Sequence, residues 1–278
     1  MSTAIPESLG VIAGKGVYPI EFARSARAQG VKRLFTVAFK GETERSIEKL
    51  VDEVHWLYVG QLQALLDVFR KSGVTTAVMV GQITPTHLFR IRPDRAMMNL
   101  LASLKQRNAE TIFGAVGAEM QTIGIELAPA SLFMESAMPA PGLLAARAPN
   151  EEEAADIELG LQVAKATSGL DIGQTVIVKR GTVLAVEAFE GTDEAILRAG
   201  KLGGAGGVVV KVAKRGHDMR FDIPVVGMHT FKVLKKADIS TLAVEAGRTI
   251  LLERERLIAE ANRLNIAFTS VSTEDTKE

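Results

Sequence analysis

The chain has 278 residues, no cysteine, and 33 Lys plus Arg against 33 Asp plus Glu. Balanced charge excludes a protein that grips nucleic acid by phosphate neutralisation alone, and the lack of thiols excludes disulfides, thiolate catalysis and Cys-based zinc or iron–sulfur sites. A hydrophobic content of 47% with 5% aromatics describes a globular chain able to bury one large core or two modest ones.

The first seven residues have neither the positive n-region nor the apolar h-region of a secretory signal. No run reaches the roughly 18 uncharged apolar residues of a spanning helix. The expectation is a cytoplasmic protein, with surface contact with a membrane left open. Residues 9–13 read as a buried strand, 21–29 as a helix ended by Gly30, and 34–39 as a second strand. Residues 55–59 read as a third strand, 62–71 as a helix stopped by Gly73, and 76–80 as a fourth strand. A further helix begins at Asp94, with Met97, Met98, Leu101 and Leu104 at helical spacing, and 111–123 continues helically. Strands spaced by helices imply a Rossmann-like α/β domain over 1–130, a parallel sheet with helices on both faces.

Residues 131–149 read as a Pro-rich linker or covering arm. Pro129, Pro139, Pro141 and Pro149 are four of the nine prolines, too dense for a helix or a central strand. Residues 1–150 carry 16 basic and 13 acidic side chains, and 151–278 carry 17 and 20, so the net charge changes from +3 to −3. Residues 150–278 read as a C-terminal α/β domain of mixed strands. Asn150 caps a helix whose first turn is Glu151-Glu152-Glu153 and whose buried stripe is Ile157, Leu161 and Ala164. Residues 175–179 and 182–188 form a hairpin through Arg180-Gly181, 193–201 a short helix, 207–212 a strand, 250–264 a mainly helical body and 266–271 a closing strand.

Chemistry has four places to sit. Ala13-Gly14-Lys15-Gly16-Val17-Tyr18-Pro19 follows the first strand, where glycines let backbone N–H groups approach an anion at a helix N-terminus. It departs from a dinucleotide fingerprint: Pro19 stands at the third glycine, and the second strand ends in Phe39-Lys40 with no acid for a ribose diol. A nucleotide or diphosphate fits, bound NAD is not supported, and the bland alternative is an ordinary strand-to-helix turn. Gln82, after the fourth strand, can hydrogen-bond a sugar or base, or be a solvated amide. Arg90, Arg92 and Arg95 suit a phosphate clamp or an anionic membrane surface, or a solvated basic face; Leu88, Phe89, Met97 and Met98 suit an acyl-chain groove or the core.

The richest place joins Glu187-Ala188-Phe189-Glu190-Gly191-Thr192-Asp193 with the stretch from Lys211 to Pro224. If residues 218–223 are extended, Asp218, Arg220 and Asp222 project to one face, because strand side chains repeat every two residues. Two carboxylates flanking a cation make a poor core and suit Mg²⁺, a hard cation often shared with substrate phosphates. The bland alternative is a surface strand with a salt bridge at Arg220. Gly203, Gly204, Gly206 and Gly207 allow close backbone approach upstream. His55 reads as a core or strand residue, while His217 and His229 lie near the carboxylates; none of the histidines has HExxH spacing. There is no Gly-x-Ser-x-Gly elbow and no Walker A motif.

Residues 10–19, 187–193 and 218–227 resemble the signatures of the LpxI family, the UDP-2,3-diacylglucosamine pyrophosphatases of lipid A biosynthesis, and the likeness runs over the whole chain. The resemblance implies Mg²⁺-dependent hydrolysis of UDP-2,3-diacylglucosamine to lipid X and UMP, by attack on the α-phosphorus, in a homodimer of two-domain chains with possible peripheral contact at the cytoplasmic face of the inner membrane. On this view Asp222, Asp218 and Arg220 are catalytic, and Asp222 and Asp193 hold the metal. Ala13, Gly14, Lys15, Gly16, Gln82, Thr192, Asp193 and Lys211 bind substrate. Two other classes stand beside it: a non-catalytic nucleotide-sugar or lipid binding module, and an oxidoreductase with a degenerate fingerprint.

Overall fold

A computed structural model describes residues 5–83, 93–214, 219–220 and 223–273. The described chain forms two compact units. The first runs to Met134 and takes back Met219 and Arg220; the second holds the rest. Among the described residues no helix is long and apolar enough to cross a membrane.

The first unit is built on five parallel strands: β1 (Ser8–Ala13), β2 (Arg33–Phe39), β3 (Glu53–Leu57), β4 (Thr76–Val80) and β5 (Glu126–Leu127), in the order β3-β2-β1-β4-β5. Among the described residues four helices accompany them: α1 (Tyr18–Ala28), α2 (Leu62–Ser72), α3 (Arg95–Ser103) and α4 (Ala109–Thr122). Leu62, Leu65, Leu66 and Phe69 of α2 bury one stripe against Ile12, Phe35, Val37 and Met79, with Met97, Leu100, Val116 and Met120 completing that core. Helix α1 buries Ile20, Phe22, Ala23 and Ala26 outside that cluster, as expected when right-handed crossovers run both ways from β1. Gly10 is required by this packing, since a Cβ there would lie 2.6 Å from the Phe69 ring. Gly73 closes α2 at φ 72°. Asp94 and Asn108 cap α3 and α4 by accepting the Met97 and Thr111 N–H groups, both at 2.9 Å.

The second unit has a six-stranded mixed sheet. Its members are β6 (Gly142–Leu143), β7 (Thr175–Lys179), β8 (Thr182–Val186), β9 (Gly207–Lys211), β11 (Ile239–Glu245) and β13 (Ala267–Val271), ordered β6-β13-β11-β9-β7-β8. The central three are parallel and the outer pairings antiparallel. A separate parallel pair joins β10 (Val225–Val226) to β12 (Ile250–Leu251). Helix α5 (Glu151–Gly169) covers one face, packing Ile157 and Ala164 on Val176, Val178, Val208 and Val210. It lies so close that a Cβ on Gly160 would sit 2.5 Å from Val210. Helices α6 (Thr192–Gly203), α7 (Met228–Lys236) and α8 (Arg254–Arg263) bury Ile196, Phe231, Leu234 and Leu257 against Ile177, Val209, Leu242 and Phe268 on the other face.

The sequence reading departs from this in identifiable places. Strand β3 starts two residues before the expected 55, and His55 lies on this sheet edge, with its Nε2 2.7 Å from the Glu53 Oε1 acceptor. Residues 250–264 are not one helical body: Ile250 and Leu251 pair with β10, and α8 starts only at Arg254. Strand β11 and helix α7 were not anticipated, because buried Thr241 and Glu245 interrupt the apolar run that marks a central strand. The Pro-rich stretch is bound at both ends. Tyr18 donates to the Ala130 carbonyl at 2.5 Å, while the Leu144 and Ala145 N–H groups both reach the Phe268 carbonyl.

Candidate active site

In the first unit the loops after β1 and β4, at the carboxyl ends of the strands on either side of the topological switch, are joined. The Gly14 N–H donates to Val80 O at 2.8 Å, Lys15 N–H to Gln82 O at 2.6 Å, and Gln82 N–H back to Lys15 O at 3.1 Å, making an isolated antiparallel bridge. Glycine is needed where the loops touch: a Cβ on Gly14 would lie 2.5 Å from Gln82 O, and one on Gly81, at φ 93°, 2.8 Å from Lys15 O. Two of the loop's N–H groups therefore serve the fold and cannot also cradle a phosphate. The Ala13 carbonyl is likewise taken, by the Thr43 hydroxyl. What the bridge exposes is the Lys15 and Gln82 side chains, with Gly16 at φ 94° in open space beyond. Gly14 and Gly81 also line an apolar cavity of about 100 Å³, whose other walls include Ile12, Phe39, Leu65, Met79, Met97 and Phe113. An exposed cation and amide therefore adjoin an apolar cavity, an arrangement for a ligand with both polar and hydrocarbon parts.

In the second unit Lys211 ends β9 and pairs with Thr175 at the start of β7. Its side chain is almost fully buried, at 6% exposure. Its Nζ donates to Thr192 Oγ1 at 3.0 Å and to Thr175 Oγ1 at 3.4 Å. Thr192 opens α6, after Gly191 at φ 85°, so the positive end of that helix lies beside the ammonium. The Thr192 hydroxyl donates to Glu187 Oε1 at 2.8 Å, and Thr175 Oγ1 lies 3.4 Å from it. Asp193 contacts His229 Nε2 of α7 through Oδ2 at 3.0 Å, with both side chains exposed. Glu190 is committed elsewhere: its hydrogen bond and charge interaction with Arg198 hold its carboxyl below the usual range.

The structure thus joins Thr192, Asp193 and Lys211, three of the expected residues, and adds Thr175, Glu187 and His229. Thr175 carried no signal in sequence, since it belongs to a strand and comes to Lys211 only by cross-strand pairing. Several expectations are corrected. Met219 and Arg220 form a turn rather than a strand, and the expected alternation of Asp218, Arg220 and Asp222 falls mostly outside the described residues. Arg220 approaches Gly117 of α4 in the first unit. Asp218 and Asp222 themselves lie outside the described residues, as do His87, Leu88, Phe89, Arg90, Arg92 and His217. Met98 is exposed, leaving Met97 to line the cavity. Gly203, Gly204, Gly206 and Gly207 lie at the opposite end of β9 from Lys211, where Gly204 caps α6.

For a metal, the described residues contain no group of three His, Asp or Glu side chains. Mg²⁺ does not require one, since it retains waters and shares one or two carboxylates with substrate phosphates. The exposed carboxylate of Asp193 fits that demand.

The LpxI N-terminal domain model matches residues 8–137, and the LpxI C-terminal domain model matches residues 140–269. The chain is 29% identical over 279 residues to the UDP-2,3-diacylglucosamine pyrophosphatase LpxI of Caulobacter vibrioides, covering 96% of this chain and 98% of that one. Among solved structures, N5-carboxyaminoimidazole ribonucleotide synthetase from Thermotoga maritima aligns at 14% identity and a TM-score of 0.23, over 68% of this chain and 43% of that one. That likeness is too slight to bear on fold or chemistry.

Proposed function

Because the chain belongs to the LpxI family, we propose that it hydrolyses the pyrophosphate of UDP-2,3-diacylglucosamine to lipid X and UMP, with water attacking the α-phosphorus. Lys211 carries the reading. Its ammonium is nearly buried, is held by two hydroxyls, and has no ion-pair partner among the described residues. A buried charge without a counter-ion is costly, and an anionic ligand at the adjoining helix terminus supplies one.

In this reading Lys211 and the first turn of α6 offset charge on the phosphoryl oxygens. Thr192 and Thr175 hold the ammonium in place, and His229 braces Asp193. Asp193 with Asp222 would hold Mg²⁺, which would add positive charge at the phosphoryl group. Asp222, with Asp218 and Arg220 near it in the chain, is the first choice for the catalytic acid. In the first unit, Lys15 and Gln82 beside the apolar cavity suit the polar and acyl parts of the lipid. The enzyme in this reading is a homodimer, and a diacyl substrate would bring it into peripheral contact with the cytoplasmic face of the inner membrane.

The test is turnover of UDP-2,3-diacylglucosamine in ¹⁸O-labelled water, with and without Mg²⁺. Labelled UMP, loss of turnover on chelation, and an inactive Asp222→Ala variant are expected. Label in lipid X would move the attack to the β-phosphorus. Tight retention of the liponucleotide without UMP release would identify a binding module instead.

A further inference from the structure

Glu187 reaches no substrate in the mechanism above, yet its surroundings give it a defined task. A threonine hydroxyl has one proton and two lone pairs. An ionised carboxylate only accepts, so the 2.8 Å contact with Glu187 Oε1 takes the single Thr192 proton. The oxygen of Thr192 is then an acceptor towards Lys211 Nζ at 3.0 Å and the Thr175 hydroxyl at 3.4 Å, and its bonding capacity is full. Of the three N–H groups on Lys211, one goes to Thr192 and one to Thr175, and the third has no partner among the described residues. Without Glu187 the Thr192 proton would have no fixed acceptor, and the lone pair held towards Lys211 would lose its direction.

Two further observations place Glu187 for this purpose. Its second oxygen, Oε2, is buried and has no hydrogen-bond partner among the described residues, a cost that calls for an explanation beyond stability. Gly173 admits the Glu187 backbone at a distance no other residue allows, since a Cβ there would lie 2.0 Å from the Glu187 carbonyl oxygen. We propose that Glu187 is a positioning residue, which by accepting the Thr192 proton fixes the Lys211 ammonium with one N–H directed to a phosphoryl oxygen. This rests on the pyrophosphatase reading of the same site.

The experiment compares wild type with Glu187→Ala, Glu187→Gln, Thr192→Val and the Glu187→Ala/Thr192→Val double variant. A glutamine oxygen can still accept the Thr192 proton, so Glu187→Gln should keep kcat/KM within about threefold, whereas Glu187→Ala and Thr192→Val should each lose about tenfold. The double variant should be no slower than Thr192→Val, because both changes break one relay. A Glu187→Gln variant that loses tenfold or more, or losses that multiply in the double variant, would overturn the proposal. Should Glu187→Ala fail to fold, the Glu187→Gln value decides alone. If wild type releases no UMP, the pyrophosphatase reading fails separately. Calorimetric Kd values for UMP and inorganic pyrophosphate then test the relay: binding about tenfold weaker in Glu187→Ala and unchanged in Glu187→Gln supports it, and equal binding by all the proteins refutes it.

Discussion

Glu153 ties the start of α5 to the arm before it, and its titration should be visible in the acid stability of the second unit. Its Oε2 accepts the Asn150 N–H at 3.0 Å while Asn150 Oδ1 accepts the Glu153 N–H at 2.8 Å, a reciprocal capping box. Arg147 adds a bidentate pair at 2.9 and 2.8 Å, and the same guanidinium holds the Ser240 carbonyl. Burial works to raise the Glu153 pKa, but hydrogen bonds from Arg147, Ser240, the Asn150 backbone and Thr241 outweigh it and bring the pKa from 4.5 to about 2. At about 1.4 kcal/mol per pH unit, this corresponds to about 3 kcal/mol, which screening at the partly exposed Arg147 reduces to about 2 kcal/mol. Because the folded pKa is depressed, the stabilisation is complete above about pH 4.5 and is lost as pH falls through 2. Urea unfolding of wild type and Glu153→Gln, followed from pH 6 to 2, should show the wild type losing about 2 kcal/mol more than the variant. Parallel pH dependence in the two proteins would refute this account of the capping site.

Lys211→Met should abolish turnover and weaken UMP binding while leaving Tm unchanged or higher, because it removes a buried charge that finds only hydroxyls among the described residues. A large fall in Tm, measured by calorimetry on the same sample, would count against the anion-site reading. Gly14→Ala should part the β1 and β4 loops, since its Cβ would press on Gln82 O. An expected cost of about 1–3 kcal/mol can be read from chemical denaturation of the first unit, and a neutral effect would show that the bridge is not tight.

The parallel organisation of the first unit was legible because its signals are local. Apolar runs alternate with amphipathic segments, Gly30 and Gly73 end helices at positive φ, and Asp94 caps α3 close to the residue it serves. Thr192, Asp193 and Lys211 enter the site through the family resemblance of residues 187–193 and of the stretch that begins at Lys211. The same local reasoning reads residues 218–223 as extended, whereas Met219 and Arg220, the described residues among the first five, form a turn. It also drew the Gly203–Gly207 region towards the site, although strand direction puts those glycines at the far end of β9.

Residue types and short-range periodicity therefore specified the element types, the helix ends and the polar residues available for chemistry, because propensity, capping and burial patterns act over a few neighbouring residues. Tertiary structure decided which of those groups meet. The bridge between Lys15 and Gln82, the contact of Thr175 with Lys211 and the Glu187–Thr192 hydrogen bond all depend on strand order, register and helix placement. Such contacts are settled only when whole faces are buried together, so no single segment contains the information that makes them.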